Sequence, residues 1–155
     1  MVEPYTKQKK PHMDIKYKLV AAAAVYCTLM TQLIAAETLK IEVDNIETSQ
    51  GMLMIQIMRS EAEFSGESPA IASIMQRAQV GNATFSASNL PAGEYAIRVM
   101  HDTNGNGELD SNFVGMPNEP WAMSNNAKGN FGPPKWDDVK FTLDGEATQS
   151  LTLSK

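Results

Sequence analysis

From residue 37 to the end, the chain alternates apolar and polar side chains over short runs separated by turn residues. Leu39-Lys40-Ile41-Glu42-Val43 alternates with period two, the mark of a half-buried strand. Gly51-Met52-Leu53-Met54-Ile55-Gln56-Ile57-Met58 is apolar at nearly every position, as a strand buried on both faces would be. Ala83-Thr84-Phe85-Ser86-Ala87 is shorter. Glu94 to Met100 puts Tyr95, Ile97 and Val99 on one face and Ala96, Arg98 and Met100 on the other. Val139 to Leu143 and Ser150 to Ser154 alternate cleanly. Between the runs stand Asn45, Gly51, Ser65-Gly66, Gly81-Asn82, Pro91-Ala92-Gly93 and Asp144-Gly145. Short strands with this punctuation predict an all-β sandwich of about seven strands.

Two segments break the pattern. Pro69 to Arg77 reads either as a short helix opened by Pro69 or as an irregular connection followed by a strand; an irregular or briefly helical link is expected. From residue 110 to 136 alternation stops, and Gly, Pro and Asn accumulate together with both tryptophans. Long connections inside compact domains are usually functional or disordered. Trp121, Phe131 and Trp136 have apolar area to bury, which predicts a long ordered loop.

The start of the chain differs in kind. Residues 13 to 36 have a basic head, an apolar stretch over Leu19 to Met30 and a small-residue end at Ala35-Ala36, the three parts of a secretory signal. A membrane span needs about 20 predominantly apolar residues, and this stretch loses its run at Thr31-Gln32. Residues 1 to 12 either extend the basic head or precede a true start at Met13. Cleavage near Ala36 would leave one domain, residues 37 to 155, in the periplasm or outside the cell, with no stable membrane span. That domain has 16 acidic against 8 basic residues, a net charge of −8, which argues against nucleic acid as a partner. The sole cysteine, Cys27, lies in the signal, so the domain is expected to have no disulfide, thiolate ligand or thiol nucleophile. Ten methionines raise the question of soft metals, because thioethers select Cu(I). Most fall before residue 37 or in strands, such as Met52, Met54, Met58 and Met100, where core filling is the expectation.

Candidate chemistry centres on Asp102-Thr103-Asn104-Gly105-Asn106-Gly107-Glu108-Leu109-Asp110. Oxygen-bearing side chains recur at alternate positions, and Ca²⁺ takes six to eight oxygens at about 2.3–2.6 Å. Against the EF-hand pattern, Asp102, Asn104 and Asn106 hold positions one, three and five. Gly107 holds six, Glu108 seven, where the main-chain carbonyl ligates, and Asp110 nine. Position twelve is Phe113, so a last ligand must come from water or from elsewhere; Glu119 is the candidate. One Ca²⁺ ion is expected, bound weakly because few ligands are charged. The competing reading is an Asx-rich turn without an ion. A Ser-His-Asp hydrolase built on Ser111, His101 and Asp102 is not expected. Neighbours on a strand point to opposite faces, and His101 shares the face of Tyr95, Ile97 and Val99.

Two stretches resemble known families. Asn89-Leu90-Pro91-Ala92-Gly93-Glu94-Tyr95 resembles the Leu-Pro-x-Gly-x-Tyr signature of transthyretin-like and carboxypeptidase-regulatory-like sandwiches. It implies an Ig-like or transthyretin-like β-sandwich. The second stretch comprises His101-Asp102-x-Asn104-Gly105-Asn106-Gly107-x-Leu109-Asp110, Gly115-Met116-Pro117-x-Glu119-Pro120, Ser124-Asn125-Asn126 and Phe131-Gly132-Pro133-Pro134, in that order. It closely resembles a family of secreted bacterial proteins known only as a domain of unknown function. The resemblance implies a signal peptide and a small envelope or extracellular sandwich. It supplies no activity. Trp121-Ala122-Met123 departs from that family's usual aromatic-Gly-Phe. The expected function is therefore a non-catalytic, calcium-stabilised module whose partner is an envelope or extracellular protein or a glycan. The alternative is carbohydrate or peptide binding through Trp121, Asn125, Asn126, Phe131 and Trp136.

Overall fold

The computed structural model describes residues 36–129 and 132–155. The signal segment up to Ala35, the residues before it, Asn130 and Phe131 lie outside the described residues. Among the described residues eight strands form two sheets. The first joins β4 (Gly81–Pro91), β1 (Ala36–Ile46) and β8 (Glu146–Thr152) in that order, with β1 antiparallel to β4 and parallel to β8. The second runs β3 (Ala72–Arg77), β2 (Met52–Met58), β5 (Gly93–Asp102), β6 (Trp121–Met123). β7 (Phe141–Leu143) also pairs with β5. An all-β sandwich is thus the fold, with eight strands where the pattern predicts about seven.

Strand parity puts Leu39, Ile41 and Val43 of β1 against Leu53, Ile55 and Ile57 of β2 and Tyr95, Ile97 and Val99 of β5. Each such side chain taken out of water stabilises the fold by about 1.5–3 kcal/mol. At the corner before β5 the Tyr95 hydroxyl donates to the Pro91 carbonyl at 2.6 Å, the tie known as a tyrosine corner in sandwiches. The Leu-Pro-x-Gly-x-Tyr stretch therefore has a mechanical role: Tyr95 fills the core and fastens the preceding turn.

Two expectations are corrected, and a third holds in part. Residues 72–77 are a strand, β3, because main-chain pairing with β2 from Met52–Arg77 to Ile57–Ala72 satisfies their peptides. Trp121-Ala122-Met123 is not loop but strand, held by pairing with Arg98 to Met100. The expectation of core filling holds for Met58, which is fully buried, while Met52, Met54 and Met100 are half-buried, and among the described residues the cluster between the sheets contains no methionine. Met58 and Met123 join Ala96 and Val139 in a second cluster on the outer face, where Phe64, Trp121 and Trp136 pack. Two short helices cover that face: α1 (Glu61–Ser65) and α2 (Trp136–Val139). Among the described residues no helix is long and apolar enough to cross a membrane.

β6 and β7 share one side of β5, at Arg98–Met100 and Gly93–Tyr95 respectively. They are two halves of one lane, interrupted by residues 124–140. Ser124 fills the break. Its hydroxyl accepts from the Ile97 N–H at 2.9 Å and donates to the Val139 carbonyl at 2.6 Å. Beyond it Asn125 and Asn126 take left-handed φ values of 62° and 49°, turning the chain toward β8.

Candidate metal centre

β5 ends at Asp102, and alternation sends its side chain to the face opposite His101. The Asp102 carboxylate organises the loop that follows. Oδ1 accepts from the Gly105 N–H at 2.7 Å and the Asn106 N–H at 3.2 Å, and Oδ2 accepts from the Gly107 N–H at 2.8 Å. Asn104 Oδ1 accepts from the Asn106 N–H and Asn106 Oδ1 from the Glu108 N–H, at 3.0 and 2.9 Å. These are successive Asx turns. Gly105 and Gly107 supply the left-handed φ values of 78° and 82° that they need. Asp110 closes the ring, accepting from the amides of Asn104 at 2.6 Å and Asn106 at 3.0 Å. Asp102, Asn104, Asn106 and Asp110 are therefore joined in one hydrogen-bonded loop. The Glu108 side chain is exposed, which leaves the main-chain carbonyl as its contribution to an ion site.

Glu119, the candidate last ligand, bonds to the ends of the loop. Oε1 accepts from both the N–H and the hydroxyl of Thr103, at 2.7 and 2.8 Å, and Oε2 from the Asp110 N–H at 3.2 Å. One carboxylate thus grips both ends of the loop from outside. Neighbouring main-chain bonds support it: Asn118 N–H to the Asp110 carbonyl, and His101 N–H to the Pro120 carbonyl. Gly51 completes the setting. It has φ 77°, and a Cβ there would lie 1.9 Å from the Asp102 carbonyl oxygen, so only glycine lets the β1–β2 turn pack on the end of β5.

The electrostatics are one-sided. Asp102 is 2% exposed and Glu119 4% exposed. Among the described residues neither these two nor Glu108 nor Asp110 has a Lys or Arg partner; the three ion pairs join Lys40 to Glu42 and Lys140 to Glu94 and Asp137. Buried charges are normally paired or bound to metal. Asp102 Oδ1 and Glu119 Oε1 each accept two hydrogens, whereas Asp102 Oδ2 and Glu119 Oε2 accept one each and keep a second lone pair for a cation. Among the described residues no three His, Cys, Asp or Glu side chains converge closely enough to hold a metal alone. An ion here would draw on amide and main-chain oxygens as well, a donor set of the hard kind that Ca²⁺ takes.

A family model described as an uncharacterized protein conserved in bacteria, DUF2141, matches residues 41–151. The chain belongs to that family. No curated protein and no solved structure matches it. The match runs from β1 to β8 and takes in the whole loop.

The remaining candidate residues do not gather at the loop. Asn125 donates to the carbonyls of Asp138 and Lys140. Asn126 donates to the Ser150 carbonyl and accepts from the Thr152 N–H, standing in for a neighbouring strand along β8. Their amides are spent on main chain. Trp136 opens α2 and packs on Phe64, ring centroids 6.1 Å apart. Trp121, on β6, shares a shallow cavity of about 380 Å³ with Gln56, Arg98, Met100, Leu109 and Met123. Phe113, in the twelfth place of the loop, is 99% exposed and ligates nothing. Ser124 escapes sequence reasoning; a small polar residue directly after an apolar strand was the available signal. His101 faces the core, where Nε2 donates to the Gln50 carbonyl at 2.7 Å and Nδ1 has no partner among the described residues.

Proposed function

We propose that this is an exported, non-catalytic β-sandwich module whose 102–110 loop binds one Ca²⁺. Asp102, Asn104, Asn106 and Asp110 would hold the ion by side-chain oxygens and Glu108 by its carbonyl, with Glu119 gripping the loop ends. The observation that carries this reading is the pair of buried carboxylates, Asp102 and Glu119, with no cationic partner among the described residues. Export rests on the basic, apolar and small-residue order of residues 13 to 36. The non-catalytic reading rests on His101, whose ring is buried in the sandwich beyond the reach of a substrate. Binding to the folded state alone should raise the melting temperature, by about 2.7 kcal/mol of stability at 100 times the dissociation constant. Mg²⁺ should do less, since it gives up water reluctantly. Calorimetric titration with each ion tests this. A calcium response unchanged in Asp102→Ala and Asp110→Ala would reduce the loop to a turn.

One observation favours a second role as a peptide- or glycan-binding module. Trp136, Phe64, Pro133, Pro134, Lys135 and Arg98 line an open groove of about 470 Å³. The Arg98 guanidinium lies over the Phe64 ring, 5.2 Å from its centroid. A peptide and glycan screen with wild type and Trp136→Ala separates this role from a purely structural one.

A further inference from the structure

One row of side chains crosses the outer face of the second sheet. Met75 of β3 stands opposite Met54 of β2, Met54 opposite Met100 of β5, and Met100 opposite Trp121 of β6. Directly opposed residues on adjacent strands have Cβ atoms about 4.5–5.5 Å apart. Met54 is therefore flanked at one strand spacing on each side. Each methionine arm has three rotatable bonds, so the two outer sulfurs can reach the middle strand. Met75 is 60% exposed, and Met54 and Met100 are half-buried, so the row is open to solvent.

Apolar cover alone does not account for methionine here. The same strand, β2, presents Leu53, Ile55 and Ile57 to the inner core and Met52, Met54 and Met58 to the outer face. Among the described residues the inner core has no methionine. Branched and aromatic side chains suit a strand surface better than methionine does. On β2 every methionine thus faces outward, beside Gln56, while the inward positions are leucine and isoleucine.

We propose that the Met75–Met54–Met100 row binds a soft monovalent cation, Cu(I), through three thioethers. Thioethers select Cu(I), whereas carboxylate, carbonyl and water oxygens suit Ca²⁺ and Mg²⁺. The row and the 102–110 loop therefore take different ions, and neither proposal depends on the other. Positive charges flank the row: Arg77 stands two residues from Met75 on β3, Arg98 two residues from Met100 on β5, and Lys128 lies over the Trp121 ring, 4.9 Å from its centroid. The Arg98 guanidinium is committed to Gln56 Oε1 and the Phe64 carbonyl, at 3.3 and 2.8 Å.

The test uses the full chain with Cys27→Ser in every arm, so that the single thiol does not compete. The probes are Ag(I), a redox-inert stand-in, in chloride-free buffer, and Cu(I) under reductant against a chromophoric chelator. Binding of one equivalent is expected, with the ε-methyl NMR signals of Met54, Met75 and Met100 moving and that of Met116 staying. Replacing all three by leucine conserves volume and should preserve the fold. It should weaken binding by at least the roughly 10–100-fold that loss of a mere supporting group costs at a metal site. Ca²⁺ should leave the three methyl signals in place. The proposal is overturned if the leucine variant keeps wild-type affinity, or if the three methyl signals of the unsubstituted row do not move.

Discussion

Ser124→Ala removes one oxygen that ties β5 to the end of α2, in the break between β6 and β7. Its hydroxyl accepts from the Ile97 N–H at 2.9 Å and donates to the Val139 carbonyl at 2.6 Å, and Ser124 is 0% exposed. Ile97 and Val139 are buried as well, so neither peptide group can turn to water instead. A buried polar group left without a partner costs about 1–3 kcal/mol, and two such groups cost about 2–6 kcal/mol. Domains of this kind are stable by about 5–15 kcal/mol, so the loss should be plain. Urea unfolding measures it, with a lower midpoint and an unchanged slope as the expected result. Amide exchange gives a local check: the Ile97 N–H should lose protection more than its neighbours on β5. A loss below about 1 kcal/mol, with Ile97 protection intact, would refute the bridge and leave the β6–β7 break closed by something else.

Glu119→Gln replaces one accepting oxygen with an NH₂ and so confronts an N–H with a donor, at a cost of about 1–3 kcal/mol. Exchange should quicken at Thr103 and Asp110 while β2 and β5 stay protected, and unchanged exchange at both would count against the two-ended grip. Gly51→Ala should destabilise by more than the roughly 0.4–1 kcal/mol by which the same change stabilises a compatible site, because φ is positive and the Asp102 carbonyl occupies the space. Thermal melts of the variant with and without Ca²⁺ should show a weakened ion response too. The Lys140 pKa is raised, first by its hydrogen bond to Asp137 and then by that to Glu94. Its contribution is therefore present below the ordinary lysine range and lost as pH rises through the folded value. Melting temperature followed into alkaline solution should fall less steeply in Lys140→Met.

Much of the fold is legible because alternation is a local property. Tyr95, Ile97, Val99 and His101 share a face by backbone geometry, whatever they pack against, and His101 is buried as that parity requires. The Asp102 to Asp110 loop is equally local. Asx turns and left-handed glycines close within a few residues, so the loop is hydrogen-bonded without help from distant strands. Residues 72–77 and 121–123 were not legible as firm strands. Their apolar patterns are short, and a strand of that length exists only when β2 or β5 supplies the opposite half of its hydrogen bonds.

The sequence by itself determined the all-β class, the main strands, the turn chemistry of the loop and the facing of His101, since each follows from spacing of a few residues. Tertiary structure alone decided the rest. β2 is apolar on both faces, so its pattern cannot say which face meets the other sheet; pairing and layering put Leu53, Ile55 and Ile57 inside and the methionines outside. Glu119 reaches Thr103 across 16 residues, Ser124 reaches Ile97 across 27, and Asn126 reaches Ser150 across 24. Such bonds depend on where the chain returns after long excursions, and that is set by burial of the whole core, not by any local preference.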